Sequence, residues 1–424
     1  INLRIFKENM IMKFMLNCDY YYHYFGEDLM VIGKYGQYLL NEYQALVLKQ
    51  INETGSVESL IGYFSDIAGE CETKIKKLLL DTLKLFLKKE FIVKGVSVYP
   101  KHIYGEVGKF YPRKIVIELT NKCHLQCTHC FKEAGPINRN FLKYEELINF
   151  LDRVKGKVYE IQLTGGEPMA HPHFKEISKY ATENFQEVTM TTTGHLINSK
   201  SIIYLKGMSY IQISLYHHNP ILNDQITNGK DTLNKTIRGI RFLNNENLDY
   251  SVTNIVRNSL IDEFDNFIEF LILNQVKAVR FGLFSHLGRG KLVGSDWFLS
   301  PSKVEEFYEM LIEKSREYGS RINIHTWEED NCFNYFEDIV DGTMRCGAGV
   351  IEWTINESGH IKPCTFFPDG EFSSYSLQNF EEYSMQNHEQ NIVRKINDWE
   401  GLLQTVGLST RNICEEIYKM VEKK

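Results

Sequence analysis

The chain has 424 residues, of which 43% are hydrophobic and 24% charged, and its formal charge is −7. A chain of this length and apolar content can bury a large core, which excludes a disordered or low-complexity protein. Its net negative charge argues against non-specific binding to nucleic acid. We find neither an apolar run of membrane-spanning length nor a signal peptide. We therefore expect a cytoplasmic protein whose nine cysteines are thiols or metal ligands.

Residues 1–103 predict a small winged-helix-like domain. Apolar segments between positions 29 and 40 precede two helical stretches and a third at Lys74–Lys89. The third helix has apolar residues at a 3.6-residue period, including Ile75, Leu78 and Leu79, and residues 91–93 predict a strand. Its lysines could attract an acidic peptide or could simply form a solvated face. A winged-helix shape also occurs in DNA-binding proteins, which the acidic chain argues against.

Residues 104–320 alternate strands and helices, a pattern that predicts a parallel sheet in a partial (β/α)6 TIM-like barrel. The predicted strands are Ile115–Thr120, Glu160–Thr164, Glu187–Thr192, Tyr210–Leu215, Tyr250–Val256 and Ala278–Phe284. In such a fold the functional loops lie at the carboxyl ends of the strands. Residues 321–424 form a more irregular, cysteine-containing tail that ends in a predicted helix near 413–421. The fold class is thus α/β, with a smaller region on each side of the barrel.

The loop after the first barrel strand contains Cys123, Cys127 and Cys130, in a Cys-x3-Cys-x2-Cys pattern. Three thiolates this close in sequence can hold three irons of a [4Fe-4S] cubane and leave the fourth iron open. The alternative is a structural zinc site with His124 or His129 as the fourth ligand. The placement of the loop at a strand end favours the iron–sulfur cluster.

These cysteines resemble the cluster loop of the radical S-adenosylmethionine (radical SAM) superfamily, in which an aromatic residue, here Phe131, follows the last cysteine. The resemblance extends over residues 112–300. Gly165, Gly166, Glu167 and Pro168 match the family after the second strand, and Ser214 and Arg280 match it on the fourth and sixth strands. It implies that the cysteines hold a [4Fe-4S] cluster and that S-adenosylmethionine (SAM) binds the open iron and yields a 5′-deoxyadenosyl radical. Tyr216, His217 and His218 depart from the family pattern.

By the same resemblance, Phe131 would line the adenine, the two glycines would let the backbone approach a ligand, and Glu167 would pair with the SAM ammonium group. Ser214 would lie near the ribose.

The tail resembles the start of a SPASM domain, which normally carries auxiliary iron–sulfur clusters. It has too few cysteines for two such clusters, so the resemblance implies a truncated domain with one auxiliary cluster at most. Its candidate ligands are Cys346, Cys364, Cys414 and Cys332. The alternative is that these cysteines are small buried side chains, which is also how we interpret Cys18 and Cys71.

The N-terminal region resembles the peptide-recognition domains of enzymes that modify ribosomally made peptides. There a leader segment adds as a strand to a sheet edge, for which 29–40 is our candidate.

The combined resemblance implies a radical SAM peptide maturase that forms thioether crosslinks between a cysteine sulfur and an α- or β-carbon. Its partners would be a precursor peptide and an electron donor such as flavodoxin or ferredoxin, with neither nucleic acid nor membrane involved. Carbon–carbon crosslinking, epimerisation, protein maturation and a metal-binding winged-helix regulator remain alternatives.

Overall fold

The structure is a computed structural model that describes residues 13–33, 36–95, 101–325, 348–349, 351–367 and 375–385. The chain divides into two compact units, and the first passes into the second between Tyr111 and Pro112. Across the described ranges, every helix is too short or too polar to cross a membrane.

The described part of the first unit combines short antiparallel sheets with three helices. Its strands are β1 (Phe14–Leu16), β2 (Tyr21–Phe25), β3 (Asp28–Gly33), β4 (Gly36–Leu40) and β5 (Ile92–Lys94). Its helices are α1 (Glu42–Thr54), α2 (Val57–Ala68) and α3 (Glu72–Lys88). Strands β2, β3 and β4 form an antiparallel meander, and β1 pairs with β5. The helices and the strand after them occur close to where the sequence predicts them.

Local sequence signals explain the boundaries of these helices. Asn41 and Gln44 form a reciprocal capping box at the start of α1, and Gly55 ends it in the left-handed conformation with φ of 63°. On α3 the predicted apolar stripe packs into the core, except that Leu78 is 58% exposed. Leu78 is therefore wrongly included in the stripe, because it lies to one side of the buried face.

The candidate edge at 29–40 is only partly an edge. Strand β3 is the central strand of the meander, and both of its sides are paired. Strand β2 is flanked on its other side by Tyr104, whose N–H and carbonyl oxygen bond to Tyr22 and Tyr24. Among the described residues, β4 pairs with β3 alone, so the outer strand of the meander is Gly36–Leu40.

The second unit contains the parallel sheet. Its strands are β6 (Lys114–Glu118), β7 (Glu160–Thr164), β8 (Glu187–Thr192), β9 (Tyr210–Ser214), β10 (Tyr250–Ile255), β11 (Ala278–Gly282), β12 (Asn323–His325), β13 (Glu352–Ile355), β14 (His360–Lys362) and β15 (Tyr375–Ser376). Its α-helices are α4 (Tyr144–Val154), α5 (Phe174–Asn184), α6 (Pro220–Thr227), α7 (Thr232–Asn245), α8 (Asn258–Asp262), α9 (Phe264–Leu273), α10 (Pro301–Tyr318) and α11 (Phe380–Met385). Short 3-10 helices span Pro168–Ala170, Ile202–Leu205, Gly288–Leu292 and Ser295–Trp297.

The sheet confirms the predicted α/β fold with a partial barrel. Strands β6 to β11 are the six predicted strands, and each pairs in parallel with the next along the chain. Helices lie between most of them, as parallel connections require. The described chain adds β12 beside β11 at one edge of the sheet. The carboxyl ends of these strands therefore meet on one rim, where the cysteine loop begins.

The tail extends the sheet at its opposite edge. Strand β13 pairs in parallel with β6, with Trp353 opposite Ile115 and Ile355 opposite Ile117, and β14 and β15 follow in antiparallel order. The division into regions 1–103, 104–320 and 321–424 remains a prediction. The predicted helix at 413–421 lies outside the described residues.

Candidate active site

The three cysteines of the loop after β6 lie together at the sheet rim. Cys123 is buried, and the half-buried Cys127 and Cys130 pack with it in one small cluster that includes Leu125 and Ala134. Backbone bonds hold the loop: the N–H of Cys123 donates to Gly135 O (3.1 Å). The structure thus brings the predicted cluster ligands into one place, and we refer to residues 121–135 as the cluster loop.

The chemistry of these thiols fits a metal cluster. Burial, with Glu167 and Cys130 nearby, raises the pKa of Cys123 to about 12. Burial and the two neighbouring cysteines also raise the pKa of Cys127. Thiols in this arrangement resist ionisation unless a cation compensates the charge, which the irons of a cluster provide. All three are free of disulfide bonds.

The two histidines considered as zinc ligands have other surroundings. The ring of His124 pairs with His195 Nδ1 through Nε2 at 2.8 Å. The ring of His129 is buried and stacks on Trp297 with centroids 4.8 Å apart. Burial, with the Arg257 and Arg289 charges, lowers the pKa of His129 to about 3, so this imidazole is neutral. Its Nδ1 has no hydrogen-bond partner among the described residues.

The Gly-Gly pair after β7 packs on the start of the cluster loop. A Cβ atom on Gly165 would lie 2.4 Å from Thr120 O, and one on Gly166 would lie 2.4 Å from Lys122 O. Gly165 also has φ of 129°, a conformation that favours glycine. The N–H groups of Gly166 and Glu167 donate to Thr120 O and Lys122 O, at 2.6 and 2.9 Å. These glycines therefore allow two backbone segments of the site to touch.

Glu167 is fully buried, and its carboxylate organises the loop after β8. It accepts bonds from the hydroxyls of Thr192 (2.6 Å) and Thr193 (2.7 Å) and from the N–H of Thr193 (2.9 Å). A longer bond comes from the N–H of Met169. Pairing of Glu167 with the SAM ammonium group remains a prediction. Pro168 is buried beside it at the first position of a 3-10 turn.

Arg289 anchors the cluster loop from the segment after β11. Its Nε and Nη2 donate to the carbonyl oxygens of Cys127 (2.9 Å) and Ala134 (2.7 Å), and its N–H donates to Cys130 O. The preceding Gly288 has φ of 52°, and a Cβ there would lie 2.4 Å from Phe131 O. Phe131 is half-buried, with its ring centroid 5.0 Å from that of Phe366.

The remaining predicted SAM contacts lie on neighbouring strands. Ser214 ends β9 and is opposite Thr253 of β10, which is opposite Arg280 of β11. The Ser214 side chain bonds to Tyr216, whose pKa is raised by burial and by the nearby cysteines. Tyr216 thus lies close to the cysteines, although it departs from the family pattern. The roles of Ser214, Arg280 and Phe131 toward SAM remain predictions.

Arg257, which follows β10, is a residue that the sequence analysis missed. It is 2% exposed, its Nη2 has no hydrogen-bond partner among the described residues, and its guanidinium lies 5.7 Å from the Trp297 ring centroid. Asp296 is its nearest carboxylate, 3.9 Å away. A buried, incompletely paired guanidinium at the strand rim can bind an anion. An arginine directly after a predicted barrel strand was the available signal.

The ligand atoms of His217, His218 and Glu263 lie within 4.8 Å of one another, which makes them the one such group of three among the described residues. The Nε2 atoms of the two histidines lie 3.4 and 3.6 Å from Glu263 Oε2. The N–H of Asn219 donates to His217 Nδ1, so the proton of the neutral His217 ring is on Nε2 and faces the carboxylate. That proton occupies the position that a metal ion would need. We therefore interpret the group as a neutral His217 ring that faces the Glu263 carboxylate, with His218 beside it, and not as a metal site.

Of the four candidate auxiliary ligands, Cys364 alone falls within the described residues. It is half-buried, two residues after the end of β14, and its carbonyl oxygen accepts a bond from the N–H of Phe367. Cys332, Cys346 and Cys414 lie outside the described residues, so the auxiliary cluster remains a prediction.

Cys18 and Cys71 are both exposed, which contradicts their interpretation as buried packing residues. Cys71 lies at the helix boundary before α3 and is not part of the core.

A cleft of about 450 Å³ opens beside the cluster loop. It is lined by Gln126 and Thr128 of that loop, by Arg289 and Leu292, and by Trp297. Leu292 is 86% exposed. The cysteine site is therefore adjacent to a cavity that a small ligand or a peptide side chain could enter.

Comparisons with known proteins agree with this geometry. Residues 117–271 match the family model of the radical SAM superfamily. The antilisterial bacteriocin subtilosin biosynthesis protein AlbA of Bacillus subtilis is 26% identical over 69% of this chain and 64% of its own length. The sporulation killing factor maturation protein SkfB of the same organism is 25% identical over 64% of each chain. This chain thus spans just under two thirds of these curated relatives.

The fold has a solved counterpart. SuiB of Streptococcus suis bound to S-adenosylmethionine has a TM-score of 0.64 at 14% identity, and the match covers 91% of this chain and 90% of SuiB. The same protein has been solved with its precursor peptide SuiA. At this identity the likeness establishes the fold. Residues 117–271, which include the cysteine loop, match the radical SAM domain, and the family of that domain uses a [4Fe-4S] cluster and SAM.

Proposed function

We propose that the chain is a radical SAM enzyme that modifies a ribosomally made precursor peptide by forming thioether crosslinks. One observation carries the proposal. Three clustered thiols, one buried and two half-buried, lie at the carboxyl rim of the sheet with the Gly-Gly-Glu-Pro segment and beside a cleft. The bound cluster and SAM supply the radical that removes hydrogen from an unactivated carbon. Relatives named for bacteriocin biosynthesis and killing-factor maturation support a peptide as the substrate.

The residues of this chain would hold and orient the cofactors. Cys123, Cys127 and Cys130 would ligate three irons, while Arg289 fixes the carbonyl side of their loop. Glu167 keeps the threonine loop after β8 in place. Arg257 offers a buried positive charge to an anionic group of a ligand at the rim. Trp297 and residues of the cluster loop line the adjoining cleft, through which a ligand or a peptide side chain would approach the site.

Strand β4 is our candidate for leader binding, because among the described residues its outer side has no strand partner. Helix α3 follows in the same unit, and Lys89 after it lies over the ring of Tyr38 on β4, 4.3 Å from the centroid. Lys74, Lys76 and Lys84 pair with acidic neighbours. The exposed Lys77 and Lys88 are thus the better candidates for attracting an acidic leader.

Mass spectrometry of a modified precursor peptide tests the proposed reaction. The reconstituted chain, reductant, SAM and a cysteine-containing precursor should give a product that lacks two hydrogens per crosslink. After reduction, the crosslinked cysteine should resist alkylation, which excludes a disulfide. A product of unchanged mass with altered stereochemistry would indicate epimerisation. A loss of two hydrogens with every cysteine still alkylated would indicate a carbon–carbon crosslink or the oxidation of a side chain.

A matched pair of cysteine variants controls this experiment. Replacing Cys123, Cys127 and Cys130 together by alanine should abolish product formation. The exposed Cys71 lies outside the cluster loop, so Cys71→Ala should leave product formation unchanged. An electron donor such as flavodoxin or ferredoxin is part of the proposal, and a chemical reductant can replace it in the assay.

A further inference from the structure

A group of four charged side chains, two buried and two largely buried, connects the cluster loop to the tail strands. Glu118, at the end of β6, is fully buried, and its Oε2 lies 2.5 Å from Lys132 Nζ and 3.9 Å from Lys362 Nζ. Lys132 Nζ also lies 3.0 Å from Glu357 Oε2, in the turn between β13 and β14. Two lysines and two glutamates leave this group with no net charge.

The same tail segment completes the contacts of these side chains. Thr365 donates its hydroxyl proton to Glu118 Oε1 at 2.7 Å. Lys362 Nζ donates to the carbonyl oxygens of Thr365 and Phe367 at 3.3 and 3.2 Å. Cys364 and Phe366 thus belong to a segment whose neighbours are fixed by buried polar bonds.

Lys132 is two residues after Cys130, so its two ion pairs act directly on the cluster loop. The intervening Phe131 packs against Phe366 of the tail segment. Arg289 holds the other side of the loop through Cys127 O and Ala134 O. Residues 130–134 are therefore held from one side by the segment after β11 and from the other by the tail.

Stability alone does not account for this arrangement. Buried ion pairs add little net stability, because desolvation offsets their attraction, and apolar residues of similar size often serve as well. They do impose one geometry, since each partner is costly to leave unpaired. The ion pairs of Lys132 with Glu118 and Glu357 join the end of β6, the cluster loop and the tail, which fits a role in fixing the position of the cluster loop.

We propose that Lys132 is a positioning residue that, through Glu118 and Glu357, fixes the SAM-binding side of the cluster loop against the Cys364 segment. The tail is then a part of the SAM site, whether or not it carries an auxiliary cluster. This inference rests on the assignment of the cysteine loop to a SAM-binding cluster, and it is independent of which peptide is modified.

The test compares SAM binding by reconstituted full-length variants. In Lys132→Met we expect the iron bound by the cluster loop to stay near the wild-type level, SAM affinity to fall roughly tenfold, and the SAM-induced change in the EPR spectrum of the reduced cluster to weaken. Lys132→Arg keeps the charge and should restore most of the affinity. Unchanged SAM affinity and an unchanged EPR response in Lys132→Met would overturn the proposal.

Lys314 of α10 provides a matched control, because its Nζ also bridges two carboxylates, Asp265 and Glu317, at 2.8 and 3.0 Å. Lys314→Met should leave SAM affinity unchanged, and an equal loss in both variants would contradict the proposed role.

If Lys132→Met fails to fold, Glu357→Gln removes the ion pair between Lys132 and the tail and keeps the pair between Lys132 and Glu118. Glu357→Gln should then lower SAM affinity severalfold, and wild-type affinity there would also overturn the proposal.

Discussion

Gly165 and Gly166 have no room for a side chain. Their backbone lies against Thr120–Lys122, where a methyl group would fall 2.4 Å from a carbonyl oxygen at either position. Gly62 of α2 is the opposite case, since a Cβ there would meet no atom within 4 Å. The same substitution should therefore have opposite effects at the two places.

We predict that Gly166→Ala destabilises the protein by about 1–3 kcal/mol and lowers the iron content after reconstitution, because the cluster loop must shift. Gly62→Ala should raise the free energy of unfolding by about 0.4–1 kcal/mol, because alanine restricts the unfolded chain and suits a helix. Thermal unfolding and iron analysis of both variants check this. Wild-type stability and iron content in Gly166→Ala would show that the two loops are not in tight contact.

Residues that carry chemistry could be found from sequence only where spacing marks them. The three cysteines and the Gly-Gly-Glu-Pro segment are short local patterns, and the structure brings them together. The role of Arg257 and the hydrogen-bond partners of Glu167 were not predicted, because their surroundings are made by strands distant in sequence. Burial of Cys18 and Cys71 was a wrong prediction, because a lone cysteine carries no periodic pattern that reveals its exposure.

At the scale of elements, β13 extends the parallel sheet beyond the strands that the sequence reveals. It covers the edge of β6, the strand that leads into the cluster loop. Its Trp353 is fully buried, donates from Nε1 to Gly349 O at 3.1 Å and contacts the ring of Tyr383. A four-residue strand gives little local signal, and its place depends on pairing with β6 from over 200 residues away.

We predict that Trp353→Ala costs about 3–5 kcal/mol of stability, because it empties a large volume beside β6. Leu273 of α9 is 81% exposed, and Leu273→Ala should change stability by less than about 0.5 kcal/mol. Urea unfolding of the two variants provides the measurement. A Trp353→Ala variant as stable as Leu273→Ala would mean that β13 does not cover the sheet edge.

The six barrel strands were predictable because each has apolar residues in a run or in alternation and is followed by a helical or turn segment. The strands β12 and β13 were missed because they are only three and four residues long. On α3 the periodic pattern predicted the buried face but placed Leu78 on it, since a stripe read from sequence cannot show how wide the neighbouring surface is.

At the scale of the whole molecule, the six cysteines within the described residues fall into groups that differ in their surroundings. Three are gathered in the cluster loop, Cys364 adjoins that loop through the Lys132 network, and Cys18 and Cys71 are exposed in the first unit. The radical SAM domain favours an enzyme over a metal-binding regulator. The order of peptide-recognition region, barrel and tail is the architecture that we propose for a peptide maturase.

The most direct test of the account is the formation of 5′-deoxyadenosine from SAM by the anaerobically reconstituted chain. The account predicts at least one four-iron cluster per chain and reductant-dependent 5′-deoxyadenosine. The variant in which Cys123, Cys127 and Cys130 are all alanine should give none. Bound zinc without SAM cleavage in the wild type, or SAM cleavage that persists in the triple variant, would contradict it.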